Sequence, residues 1–124
     1  SVNDTLGHTT GDDVLRTMAG KIQGCLRDGD FLGRYGGDEF LIFLPGAAAD
    51  AVNAVAHRIA SLSHTVSGDG IAITVTAACG GVVVPGMCAP VLPAVLAQAD
   101  ALMYAAKKVG PPGVATANYQ PPAP

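Results

Sequence analysis

The chain has 124 residues, 49% apolar and 14% charged, with a net charge of −3. That is one small domain able to bury a core, which argues against a disordered chain. Seven Lys+Arg residues without a basic run argue against a nucleic-acid polymer as partner, because phosphate neutralisation needs clustered cations. The longest apolar runs fall well short of the roughly 20 residues that cross a bilayer. Cys25, Cys79 and Cys88 form no C-x-x-C pair, which fits a reducing, cytoplasmic setting better than a disulfide scaffold or a zinc ribbon. The sequence starts at Ser1 without a signal-peptide pattern and reads as a piece of something longer.

In chain order, Gly11 to Leu26 has helical spacing, with Val14, Met18 and Ile22 on one stripe and Asp12 and Asp13 suited to a helix N-terminus. Phe31–Tyr35 and Phe40–Leu44 are strand-like runs around a glycine-containing turn, a hairpin signal. Asp50 to Leu62 returns to helical spacing through Val52, Val55, Ile59 and Leu62. Ile71–Thr76 alternates as a strand, and Gly81–Pro85 is a short apolar strand. Pro93 opens a last helix that runs to Lys108 and closes at Gly110. The proline-rich residues 111–124 read as a flexible tail, which leaves 1–110 as the domain. Helix, hairpin, helix, one or two strands and helix make an α+β sandwich, with helices over an antiparallel sheet. A ferredoxin-like unit would place a strand before the first helix.

The most informative stretch is Arg34-Tyr35-Gly36-Gly37-Asp38-Glu39-Phe40. Two glycines at a hairpin tip clear side chains from the place where a ligand would approach the backbone, and they tolerate positive φ. Consecutive carboxylates on an extended segment point to opposite sides, so one of the two faces such a ligand. A carboxylate beside a bare turn suits Mg²⁺ carrying a polyphosphate. An ordinary exposed turn would also be rich in Gly and Asp. The five-residue run Gly-Gly-Asp-Glu-Phe, however, arises by chance in a chain this long only about once in ten thousand.

Here the sequence resembles the GGDEF domains, the diguanylate cyclases. Asn3-Asp4-Thr5-Leu6-Gly7-His8 with Gly11-Asp12 is similar to that family's N-D-x-x-G-H-x-x-G-D stretch. Ala99-Asp100-Ala101-Leu102-Met103-Tyr104-Ala105-Ala106-Lys107 is similar to its A-D-x-A-L-Y-x-A-K helix, with one extra residue before the tyrosine. Arg27-Asp28-Gly29-Asp30 reproduces its R-x-x-D.

The resemblance implies a palm-type nucleotide cyclase fold. It also implies condensation of two GTP into cyclic di-GMP and pyrophosphate by a homodimer, with Mg²⁺ or Mn²⁺ as cofactor. Asp38 would then bind the metal and accept the 3′-hydroxyl proton, with Glu39 beside it in the catalytic turn. Gly36 and Gly37 would lie against the nucleotide. Asn3 and Asp12 would read guanine, although Asp12 alone would equally be a helix-start charge. Lys107 would reach the triphosphate. Arg27 and Asp30 would form a product-inhibition site for cyclic di-GMP, with Arg58 as a possible second cation, although a surface Arg-x-x-Asp pair alone is ordinary solvated charge. His8 would be structural. A sensory or phosphodiesterase domain would lie elsewhere in a parent whose membrane anchoring the sequence leaves open.

Three departures qualify the resemblance. The family's first strand, with a second metal-binding aspartate and a phosphate loop, would precede Asn3. The sequence as it stands is therefore expected to be weakly active or inactive, with strand edges left open to self-association. Where the family continues to G-R-N, Gly110 is followed by Pro111-Pro112, which removes a phosphate-binding arginine. Ala78-Cys79-Gly80 replaces the common S-I-G. The last is a packing change at most; the first two favour an alternative, a non-catalytic module that binds cyclic di-GMP or GTP and regulates an attached domain, whereas the intact Gly-Gly-Asp-Glu turn favours the enzyme.

Overall fold

The apolar stripe Val14, Met18 and Ile22 is buried, each residue 3% exposed, and it forms the inner face of α1 (His8–Gln23). The computed structural model that shows this describes residues 8–68, 70–86 and 88–122. Because α1 begins at His8 rather than Gly11, Asp12 and Asp13 sit in its second turn, beyond the reach of the N-terminal dipole proposed for them. Asp13 instead meets Arg16 at 3.3 Å on the solvent side.

A hairpin follows, β1 (Phe31–Gly36) and β2 (Glu39–Phe43), antiparallel from Phe31 opposite Phe43 to Gly36 opposite Glu39. The register slips between Arg34 and Gly36, so Tyr35 bulges and Gly37-Asp38 forms the tip. Phe31 and Phe43 stack across the strands at 6.5 Å between ring centres. Both stay more than 60% exposed, so this face of the hairpin is apolar and uncovered.

Helix α2 (Ala49–Ala60) buries Ala56, Ile59 and Ala60. Next comes a second hairpin, β3 (Ser63–Gly68) with β4 (Ile71–Thr76), pinned by the Thr65 and Thr74 hydroxyls at 2.9 Å. The Lys21 ammonium ties α1 to it by donating to the Ser63 carbonyl at 2.6 Å. Strand β3 was not foreseen: Ser-His-Thr-Val-Ser-Gly carries little apolar signal, and its partner strand supplies the pairing.

The rest is a β-α-β unit: β5 (Ala78–Val83), α3 (Leu92–Val109) and β6 (Gly113–Asn118), with β5 and β6 parallel. A Cβ at Gly80 would run into the Ala99 oxygen and the Met103 nitrogen of α3, whereas one at Gly81 would meet Val52 of α2 at 3.2 Å. Neighbouring strand residues face opposite ways, so α3 and α2 cover opposite faces of this ribbon.

The expected flexible tail is therefore corrected over 113–118, where it is a strand. Beyond it, Tyr119 is 5% exposed, donates its backbone N–H to the Val83 carbonyl at 2.8 Å, and accepts the Val91 N–H on its hydroxyl at 3.0 Å. The Gln98 amide exchanges two hydrogen bonds with the Gln120 backbone. Proline-rich flanks hide this strand because its partners lie across the whole of α3. The fold is α+β, as expected. Its described strands form three two-stranded ribbons, two of them antiparallel and the β5–β6 ribbon parallel. No described helix is long and apolar enough to cross a membrane.

Candidate functional site

Local sequence builds the hairpin tip. Gly37 has φ +52°, a conformation that favours glycine. A Cβ at either Gly36 or Gly37 would meet no atom within 4 Å. Since Gly36 is not in the positive-φ region, nothing within the described protein requires a glycine there, and the surface above it is bare. Asp38 is exposed and has no hydrogen-bond or ion-pair partner among the described residues. Glu39 is half-buried and paired with Gly36 in the ladder. Arg34, which the sequence reading did not single out, donates from Nε at 2.9 Å and from Nη2 at 2.5 Å to the Gly37 carbonyl. The only sequence signal for it is a long cationic side chain two residues before the glycine pair.

Among the described residues no group of three or more His, Cys, Asp or Glu side chains converges as a metal cage. A single accessible carboxylate fits instead a Mg²⁺ ion that arrives with most of its ligands on a polyphosphate.

The other anticipated residues lie apart. Asn3 falls outside the described residues, as does most of its motif. Asp12 is exposed on α1. Lys107, exposed in the last turn of α3, borders an open depression of about 180 Å³ with Thr76, Ala78, Pro111 and Gly113. No hairpin residue lines that depression. Pro111 stands at its edge, where the resemblance expects an arginine. Arg58 is exposed on α2.

Arg27 and Asp30 do meet. The Asp30 carboxylate accepts the Arg27 backbone N–H at 2.9 Å and its Nε–H at 3.2 Å, while Nη2 donates to the Pro45 carbonyl at 2.5 Å. The Asp30 side chain is 3% exposed against 60% for Arg27. The pair thus joins the α1–β1 loop to the root of the hairpin, and the outer edge of the guanidinium faces solvent.

Burial, helped by the neighbouring Cys25, pushes the Cys79 thiol from its ordinary 9.0 up to about 11. A raised acid favours folding while it stays protonated, so this contribution holds below about pH 9 and is lost as pH rises toward 11. Urea titrations across that range should show stability falling, with the fall reduced in Cys79→Ala. At pH 8 Cys79 should label slowly with a thiol reagent in the folded protein, and rapidly once unfolded.

The sequence matches the family described as diguanylate cyclase, GGDEF domain, over residues 1–111. The chain belongs to the GGDEF family. Among curated relatives, diguanylate cyclase DgcP of Pseudomonas aeruginosa is 35% identical over 113 residues, which cover 88% of this chain and 16% of that protein. Among solved structures, diguanylate cyclase SiaD of P. aeruginosa, in complex with its activator SiaC, superposes with a TM-score of 0.76 at 33% identity, covering 94% of this chain and 45% of that one. The coiled coil and GGDEF domain of DgcB from Caulobacter crescentus, in complex with c-di-GMP, gives a TM-score of 0.68 at 28% identity over 93% of this chain and 62% of that one. This GGDEF domain therefore spans about a sixth of the length of DgcP.

Proposed function

We infer that the protein carrying this domain condenses two GTP molecules into cyclic di-GMP, and that the Gly36-Gly37-Asp38-Glu39 turn carries the chemistry. The observation behind this is the turn itself: open space above both glycines and an exposed carboxylate with no described protein partner. The 3′-hydroxyl oxygen of one GTP attacks the α-phosphorus of the other and pyrophosphate leaves. A second, reciprocal attack closes the ring, so two GTP give one cyclic dinucleotide and two pyrophosphates. Asp38 would accept the hydroxyl proton and, with the phosphates, hold the divalent ion. Mg²⁺ or Mn²⁺, when bound there, offsets charge developing at the α-phosphate. Each domain presents one such tip, so the reaction would need two copies facing each other. Asn3 and Asp12 would read guanine, whose N1–H and N2–H₂ suit an acceptor, and Lys107 would steady the triphosphate as a point charge. The assay is GTP with Mg²⁺ in the full-length protein. Cyclic di-GMP and pyrophosphate in a 1:2 ratio are expected, and no product from a folded, concentrated sample overturns the reading.

The second reading is a module that binds cyclic di-GMP and regulates an attached domain. It is favoured by Pro111 beside Lys107, in place of an arginine, and by the formed Arg27–Asp30 pair. At that pair the free edge of the guanidinium would fork onto guanine or phosphate. Arg27→Ala should weaken cyclic di-GMP binding at least about tenfold by calorimetry, the loss of a charge-assisted pair. It should also lower stability by about 1–3 kcal/mol, because the Asp30 carboxylate, 3% exposed, loses its charge partner and keeps only the Arg27 backbone N–H. Unchanged binding would remove Arg27 from the product site.

A further inference from the structure

One side chain holds the catalytic tip. Both donors of Arg34 converge on the Gly37 carbonyl oxygen. That carbonyl belongs to the planar peptide unit that ends at the Asp38 nitrogen, so its direction sets the plane from which Asp38 departs. Apart from the Gly36–Glu39 ladder pair that closes the turn, little else restrains this plane. Gly37 lies at φ +52°, the region that glycine enters and leaves at little cost. Gly36 and Gly37 have no atoms packed over them, and Asp38 has no described partner. Among the described residues no other element packs extensively along the hairpin. The bulge at Tyr35 takes that residue out of the ladder beside the tip.

We propose that Arg34 is a positioning residue: its two-donor fork clamps the Gly37–Asp38 peptide plane and so aims the Asp38 carboxylate at the metal-bearing nucleotide. This rests on the reading of Asp38 given above. The fork is planar and preorganised, whereas an ammonium would meet the same oxygen through a single N–H and leave the plane free to rotate.

Two variants and two readouts test it. In Arg34→Met the stem remains and the fork is lost. Backbone relaxation should show the Gly37 and Asp38 amides going from order parameters near 0.85 in the native chain to below about 0.6 in this variant. The Mg²⁺ concentration giving half-maximal turnover should rise about tenfold, the scale of lost support behind a metal ligand. At saturating Mg²⁺, kcat should stay within about threefold, since the groups touching the reacting atoms are unaltered. Arg34→Lys should behave like Arg34→Met in both readouts, because it restores the charge without the fork.

The proposal is overturned if the tip stays rigid in Arg34→Met, or if Arg34→Lys matches the native protein. It is equally overturned if kcat collapses at saturating Mg²⁺ with the half-saturating concentration unmoved, for Arg34 would then act on the nucleotide directly. A native protein that makes no cyclic di-GMP overturns the cyclase reading alone, and the order parameters still decide the clamp.

Discussion

Replacing Asp38 with alanine should lower cyclic di-GMP formation by at least about a thousandfold and leave the fold intact. The loss would combine the two roles proposed for this one carboxylate, proton acceptor and anchor for the divalent ion. General-base catalysis alone contributes about 10²–10⁴ in rate, and a thousandfold loss corresponds to about 4 kcal/mol in the barrier. The fold is spared because Asp38 is exposed at a two-residue tip and makes no hydrogen bond or ion pair with a described side chain. Asp38→Asn is the sharper variant: it keeps the shape of the side chain and removes the charge and the basicity, so it should be nearly as inactive. Product formation is read by chromatography, and folding by the thermal midpoint. Residual activity above about a tenth of native in either variant would show that the carboxylate is dispensable and that the turn's role lies in its glycines.

Two glycine-to-alanine substitutions should have opposite effects. At Gly80 the new methyl would collide with backbone atoms of α3, the Ala99 oxygen and the Met103 nitrogen, with the Leu102 carbonyl carbon at 2.9 Å. No rotamer relieves a clash between a Cβ and a backbone, so β5 and α3 must separate, and helix α3 packs along both strands of this ribbon. Overpacking typically costs about 1–3 kcal/mol, and a site walled by backbone belongs at or above the top of that range. Against a total stability of about 5–15 kcal/mol, the midpoint should drop by about 10 °C or more. Gly36→Ala adds the same methyl over open space at a residue without positive φ, so stability should change by less than about 0.5 kcal/mol. Its cost should instead appear as a raised KM for GTP, because the methyl occupies the surface the nucleotide would use. Calorimetry and steady-state kinetics on the pair separate the two cases. A Gly80→Ala protein as stable as the native one would show that the helix and strand do not approach this closely in solution.

The regions legible in the sequence are those whose signal is local. The stripe Val14, Met18 and Ile22 marked α1, and two apolar runs around Gly36-Gly37 marked the hairpin, because a helix face and a two-residue turn are written in neighbouring residues. The position of Asp38 at a bare tip followed from that turn alone. The end of α3 at Gly110 was legible for the same reason, and the observed cap has φ +76° there.

What the tertiary structure decided is what depends on partners distant in the chain. Strand β6 pairs with β5 across an entire helix, so nothing between Pro111 and Pro122 announces it, and Tyr119 is tied by hydrogen bonds to Val83 and Val91, far from it in the chain. Gly80 and Gly36 are indistinguishable as letters. Only the approach of α3 makes the first a packing requirement, and only the open space over the hairpin leaves the second unpacked. The Arg34 fork depends on a bulge that brings its guanidinium back to Gly37, and the Arg27–Pro45 bond depends on two loops meeting at the hairpin root. The residue types proposed to do chemistry were thus set by the sequence at short range. Where each stands, and what holds it there, was set by contacts whose free energy exists only once distant segments have met.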